Sequence, residues 1–493
     1  MTAPLEGMQE RTLGPGVAAV PPGPASLLGA RANLLMFLSD PIRFMLRLKL
    51  RFGDLASLAW GRSDYIFALG PRHNRFILGN PDLFHNLDAS NIPIRVPAGS
   101  ALGRLFTGLI QMNGERHGQH RRLMSPAFSR GMLKEYLSGI AFETHQRLKG
   151  WGAGGRRDLA REMSELTLSI AIRVLLGIEP SEAGAKVRRL FWQWTDLVFS
   201  PWVLMLPADL PGFAYRHLLA VSRELEKEIR AVIGQRRAAA EAGRCALSVL
   251  IDAHVRDQAV LTEHDLIGQT NFLFMAGHAT TANALTWTLF LLDQHPDILA
   301  AVREECASLD DANPSLEQLH ALTLLDAVVK ESLRLLPPVI WWCKVAVSPF
   351  EIEGYRFPAG TKVVQSAYVT HRDAALYPQA DRFLPDRWAR TNPEPYEYCP
   401  FSAGPRMCLG STLAMAEIKL VVAIIVRRYR LALAAGGRVD ARGPMILAPK
   451  GGIPVDILHA NSARAPTEAH GTICSLVNLP GRGADSRMEA RLQ

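Results

Sequence analysis

Phe401-Ser402-Ala403-Gly404-Pro405-Arg406-Met407-Cys408-Leu409-Gly410 is followed at once by a helical pattern over residues 411–429. A cysteine just before a helix start sits at the positive end of the helix dipole, which favours the thiolate over the thiol. Gly404 and Gly410 permit turns and close approach that a Cβ would obstruct. Arg406 offers a fixed cation to a carboxylate, and Phe401 an apolar wall. Taken alone, Cys408 reads first as an ordinary buried cysteine.

The other cysteines, Cys245, Cys306, Cys343, Cys399 and Cys474, are scattered without a C-x-x-C pair. Neither a zinc site nor a disulfide framework is indicated, and a reducing compartment fits. Of 493 residues, 48% are apolar and 21% charged, which excludes a disordered chain or a collagen-like repeat. Length alone suggests roughly three domains. Lys and Arg number 55 against 47 Asp and Glu, a net charge of +8. These charges form no run and no aromatic-interleaved stripe, so no nucleic-acid partner is expected. Residues 1–30 hold no apolar stretch long enough for a signal peptide, and no transmembrane anchor is expected.

Upstream of the cysteine loop, the longest stretch without Asp, Glu, Lys or Arg covers residues 266–292. It is long enough to span a bilayer, but Gln269, Thr270, Asn271, His278, Thr280, Thr281 and Asn283 interrupt it. Thr262 and Asp265 form a capping-box pattern before it, and Pro296 lies just beyond its end. The spacing predicts a long interior helix. Helical periodicity also marks residues 217–242, 315–336 and 411–429, and short strands are expected at 54–60, 65–68, 350–352, 361–365 and 452–458. The fold class is therefore mainly α with a small β portion.

The loop pattern F-x-x-G-x-R-x-C-x-G resembles the haem-binding loop of the cytochrome P450 family, in which this cysteine is the axial iron ligand. Gly410, Ala414 and Glu417 match its continuation into the following helix. Glu331-Ser-Leu-Arg334 has the family's E-x-x-R form, and Arg387, in Phe383-Leu-Pro-Asp-Arg387-Trp388, matches the arginine that completes its buried network. Without the resemblance, Glu331 and Arg334 would be an ordinary surface pair. Ala276-Gly277-His278-Ala279-Thr280-Thr281 matches the helix segment over which oxygen binds. His117-Gly-Gln-His-Arg121 stands where the family has W-x-x-x-R, and many bacterial members put His in the Trp position. His117 and His120 also suggest a metal pair, but no third ligand lies nearby in the sequence.

Carried over by residue, the resemblance makes Cys408 the iron ligand, with Phe401 shielding the sulfur and Gly410 completing the loop. Arg406, His117, Arg121 and Lys344 would meet the propionates, and Ala276 and Gly277 would let the flat macrocycle approach. Thr280 would serve proton delivery to the distal oxygen. Glu331, Arg334 and Arg387 would be structural. Pocket-lining segments are expected at residues 92–109, 198–210, 272–280 and 339–343, with Val339, Trp341 and Trp342 as substrate contacts, at least one of the two tryptophans being packing. Residues 190–215, with Trp192, Trp194 and Trp202, read as a pocket lid, a membrane contact or core packing.

The implied cofactor is haem b (iron protoporphyrin IX), and the implied fold is one α-rich cytochrome P450 domain over residues 21–458 between a flexible lead (1–20) and a disordered tail (459–493). The implied activity is monooxygenation of an apolar small molecule by O2. NAD(P)H would act only indirectly, through an acidic ferredoxin or flavodoxin-type donor, since no nicotinamide, flavin or iron–sulfur fingerprint is present. Arg121, Arg122, Arg427, Arg428 and Arg430 are candidate contacts for that donor. A cytoplasmic monomer is expected, with peripheral membrane contact the other localisation. The family commonly has Asp or Glu immediately before the helix threonine, where this chain has Ala279. Thr280 with water, His278 or a substrate hydroxyl would then deliver the proton. A peroxide-using or isomerising haem-thiolate enzyme, and a non-catalytic haem-thiolate sensor, are the other classes left open.

Overall fold

The computed structural model describes residues 20–25, 29–88, 94–178, 182–198, 200–239 and 244–480. Residues 1–19 of the expected lead (1–20), the start of the first expected pocket segment (92–93) and residues 481–493 lie outside these. The helices that build the site run in chain order as α1 (Gly114–Met124), α2 (Arg130–Leu148), α3 (Leu159–Ile170), α4 (Glu182–Val198), α5 (Ala214–Ala238), α6 (Glu263–Gln294), α7 (Thr323–Leu335) and α8 (Ser411–Arg428). The chain is mainly helical, as the periodicity predicts.

Helix α6 crosses the interior and packs against α3, α7 and α8. Its start is fixed by the capping box: the Asp265 N–H donates to Thr262 Oγ1 at 3.2 Å, and the Thr262 N–H donates to Asp265 Oδ2 at 3.1 Å. Several of its polar groups bond to the protein rather than facing lipid. Gln269 Oε1 accepts the Leu109 N–H at 3.0 Å, and Asn271 Nδ2 donates to the Leu105 carbonyl at 3.1 Å. Among the described residues no helix is long and apolar enough to cross a membrane.

Residues 315–336, expected as one helix, break at Leu322 into Leu316–Ala321 and α7. The break gives the Glu305 carboxylate access to the exposed N–H groups of Leu324 and Leu325, at 2.8 and 2.9 Å. Such a cap satisfies donors a new helix start leaves open.

Five short strands form one sheet beside the helices: β1 (Leu55–Ser57), β2 (Tyr65–Ala68), β3 (Phe84–Asn86), β4 (Trp342–Ala346) and β5 (Lys362–Gln365), in the order β1-β2-β5-β4-β3. Only β2 and β5 pair in parallel. The β3–β4 register sets Asn86 opposite Lys344, which matters below.

The expected loose tail differs from the structure. Up to Pro480 it packs on the core, with Ala469, Ile473, Val477 and Leu479 buried. Arg372 Nη2 donates to the Leu476 carbonyl at 2.9 Å, and the Asn478 N–H donates to the Asp381 carbonyl at 2.8 Å. Burying the apolar patch at 473–479 outweighs the Gly, Pro and Ser content that suggested disorder.

Candidate active site

The cysteine loop is closed by its own backbone: the Cys408 N–H donates to the Phe401 carbonyl at 2.8 Å. Turning that tightly puts Ser402 and Gly404 in the left-handed region, at φ 60° and 67°. At Gly404 a Cβ would lie 2.6 Å from the Leu78 carbonyl oxygen, so glycine is required twice over. At Gly410 the expectation is not met: φ is −89°, and a Cβ would only touch Phe128 at 3.5 Å. Nothing in the protein alone demands glycine there.

Cys408 is exposed, whereas Cys245, Cys306, Cys399 and Cys474 are buried and Cys343 is half-buried. Yet burial among protein atoms is the first cause raising its thiol pKa; the Gly410 backbone N–H and Arg121 oppose it. Exposed yet ringed by protein atoms, Cys408 lines a recess in the fold. The sulfur therefore points into a space, where a donor and a cation offset part of the burial that favours the thiol.

Basic groups from three separate segments converge on that space. Arg406 donates through Nη2 to Asn113 Oδ1 at 2.8 Å, while its Nε and Nη1 are buried without a partner. Lys344, on β4, donates to Asn86 Oδ1. Asn86 and Asn113 clasp each other: the Asn86 N–H donates to Asn113 Oδ1 at 2.9 Å, and Asn113 Nδ2 donates to the Asn86 carbonyl at 3.1 Å. Burial, then Arg406, pushes Lys344 down to about 7. Burial, then Arg121, pushes Arg406 down to about 10. Burial, then Arg406, Arg121 and Lys344, pushes His117 down to about 4. Burial also lowers Arg121, against the pull of Cys408.

No carboxylate forms an ion pair with any of these groups among the described residues. A buried guanidinium without a carboxylate costs folding free energy, and the basic set as a whole, with His117 neutral at pH 7, calls for an anion from outside the chain. Haem fits this donor set: its two propionates match the unpaired nitrogen atoms, and Cys408 offers an accessible thiol beside them. Asn86 and Asn113 were not foreseen. The only sequence signal was an Asn placed just before α1, and its side chain does not cap that helix.

On α6, Ala276 is exposed although its helix is largely buried. Thr280 lies one turn on, with its hydroxyl donating to the Ala276 carbonyl at 2.8 Å. Gly277 is used differently from expectation: a Cβ there would meet the Leu175 side chain at 2.8 Å, so its small size serves packing against the π-helical turn Ala171–Leu175. His278 does not face the cavity. It is buried against α3, with Nδ1 2.9 Å from Thr167 Oγ1 and Nε2 3.5 Å from Ser164 Oγ. Two residues before Thr280, it falls on the opposite side of the helix. Burial holds its pKa down at about 4, so it is neutral at pH 7.

The Glu331 network is present as expected. Glu331 accepts from Arg334 through two bonds of 2.9 Å and from Arg387 Nε at 2.9 Å. The Trp388 indole at 3.1 Å and the Leu384 N–H at 3.0 Å complete its shell. Of the pair at the start of β4, Trp341 packs against Phe37 at 4.9 Å between ring centroids and donates to the Pro444 carbonyl. Trp342 alternates with it and shares the strand face of Lys344. Val339 bridges to Ile446.

The expected donor patch shrinks. Arg427 and Arg428 bind Asp311 at 3.4 and 3.3 Å, Arg430 is buried with Nη1 on the Ser462 carbonyl at 2.7 Å, and Arg121 turns toward Cys408. Only Arg122 of the five is an exposed cation without such a tie.

Residues 21–453 match the family model for cytochrome P450. The chain is 29% identical over 458 residues to a putative cytochrome P450 135B1 of Mycobacterium tuberculosis, covering 91% of this chain and 94% of the relative. It is 29% identical over 427 residues to a cyclooctat-9-en-7-ol 5-monooxygenase of Streptomyces melanosporofaciens, covering 85% and 90%. Among solved structures, retinoic acid-bound cyanobacterial CYP120A1 superposes with a TM-score of 0.76 at 26% identity, covering 90% of this chain and all of that one.

Proposed function

The chain belongs to the cytochrome P450 family, an oxidoreductase family that binds haem, and from that premise we propose that it inserts one oxygen atom from O2 into an apolar small molecule with electrons from an external donor. The single observation behind this reading is Cys408, the one exposed cysteine, opening into a cavity where Arg406, Arg121, Lys344 and His117 have no carboxylate partner. When bound, the haem supplies oxygen activation, helped by a thiolate ligand.

The protein's part is positional. Arg406 and Lys344, held by the Asn113–Asn86 clasp, would orient the propionates. The Gly410 N–H and Arg121 would keep sulfur anionic. Thr280 already donates to Ala276, so it presents lone pairs to the cavity and must release that bond before its own proton can be given. Trp342, Val339, Phe272 and Met275 are half-buried and apolar, which supports a hydrocarbon-rich substrate. The names of the two relatives above, one acting on cyclooctat-9-en-7-ol and one binding retinoic acid, point the same way. Exposed Met407 and Pro405 beside Cys408, with Arg122, support docking of an acidic donor on the loop side.

The test is a reduced carbon monoxide spectrum of purified protein, with a surrogate ferredoxin system and NADPH driving oxidation of a terpenoid panel. A thiolate-type band lost in Cys408→Ala, together with reductase-dependent product, is expected. A band unchanged by that substitution would refute the reading. A second reading, peroxide-driven turnover, is favoured by one observation: Ala279 precedes Thr280, and His278 is turned away. Product formed with hydrogen peroxide and no reductase, at a rate above the reductase-driven one, would select it.

A further inference from the structure

We propose that the cleft between α3 and α4 is a second ligand site, separate from the Cys408 cavity, that binds a planar aromatic anion such as an aryl carboxylate. The cleft is open to solvent, offers about 560 Å³, and is lined chiefly by Arg161, Glu165, Arg188, Arg189, Trp192 and Asp196. Arg161 is committed to Glu165 at 2.9 Å, and Glu165 also holds Arg147 at 2.6 Å. Arg188 and Arg189 make no ion pair or hydrogen bond among the described residues, and neither does Asp196. Two free guanidinium groups against one free carboxylate leave the cleft net attractive to an anion. Arginine binds carboxylates through paired, planar hydrogen bonds.

Trp192 supplies the apolar part. It is 38% exposed, the only aromatic side chain in the lining, and follows Arg188 and Arg189 by four and three residues, which puts all three on one helix face. Its other edge is fixed. The indole meets the His278 ring nearly perpendicularly, with centroids 5.1 Å apart, and His278 is in turn held by Thr167 and Ser164. A platform immobilised before binding loses little side-chain entropy when a ligand stacks on it. His278, which does not serve the cavity, is thereby accounted for as the support of Trp192.

The test uses the haem-loaded full chain with its iron saturated by imidazole, titrated calorimetrically with 1-naphthoate. One site with Kd of about 10–500 μM is expected, weakened about tenfold or more in Arg188→Ala/Arg189→Ala and in Trp192→Ala, and weakened by raising salt. The reduced carbon monoxide spectrum of each variant confirms that the fold is intact. No binding at ~5 mM ligand, equal binding of neutral 2-naphthylmethanol, or an affinity unaltered in both variants would overturn the proposal. Because imidazole occupies the iron throughout, a result here is independent of the monooxygenase reading.

Discussion

Glu331 and Arg334 face each other through two parallel hydrogen bonds of 2.9 Å, and neither side chain exposes any surface. Arg387 and the Trp388 indole complete the carboxylate's shell. Removing the charge from one member of such a set leaves the others desolvated and unpaired, at a cost of about 3–5 kcal/mol. Glu331→Gln is therefore expected to lower the thermal midpoint and the yield of folded protein. An unchanged midpoint would mean the network is dispensable.

Arg406 makes an opposite prediction for two forms of the same chain. Two of its nitrogen atoms are buried without partners, so Arg406→Leu removes an uncompensated group from the haem-free protein. Its thermal midpoint is expected to rise, by a stability gain of about 1–3 kcal/mol. Haem retention, measured by transfer to apomyoglobin, is expected to fall. Movement of both quantities in the same direction would contradict the reading of Arg406 as an anion's partner.

Lys344 sets a pH dependence. Its pKa is lowered from 10.5 to about 7 in the folded chain, by burial first and then by Arg406. Between these two values the unfolded chain binds more protons than the folded one, so the stability of the haem-free protein rises with pH across that window. The penalty is fully present below about 7 and relieved above 10.5. Urea midpoints from pH 7 to pH 9 are expected to increase in the parent and to flatten in Lys344→Met; a slope that persists in the variant would assign it elsewhere.

Ile473 tests the packed tail. It has no exposed surface, on a segment whose composition suggested disorder. Ile473→Ala is expected to cost about 2–5 kcal/mol, read as a lower denaturation midpoint, whereas a loose tail would tolerate it without change.

Ala279→Glu restores a carboxylate beside Thr280 on α6. Product per NADPH consumed is expected to hold or rise. A collapse of that ratio would show that the small side chain, not a missing acid, is what the site needs there.

Local signals made much of this legible. The capping box of Thr262 and Asp265 and the position of Pro296 bracketed α6 to within a few residues. The spacing around Cys408 singled out one cysteine of six. What escaped depends on pairings between distant segments. Nothing in a linear reading says that Asn86 and Asn113 will clasp, or that Asp311 will claim Arg427 and Arg428. His278 shows the same limit within a helix: its neighbours were legible, but its facing was set by Thr167 and Ser164 on α3. The tail was misjudged because composition weighs all positions equally, while six buried residues, Ala469, Ile473, Cys474, Leu476, Val477 and Leu479, decided the outcome.

The basic cluster also bears on how the protein reaches its working form. Lys344, His117, Arg121 and Arg406 come from segments far apart in the chain, so they meet only when the sheet, α1 and the cysteine loop have assembled. The like charges of Arg121, Arg406 and, below about pH 7, Lys344 resist that last closure, and an arriving dianion would relieve it. By mass action, the fraction of chains that close then follows the free haem concentration during synthesis. A richer haem supply in the expressing cell is therefore expected to raise the amount of finished protein.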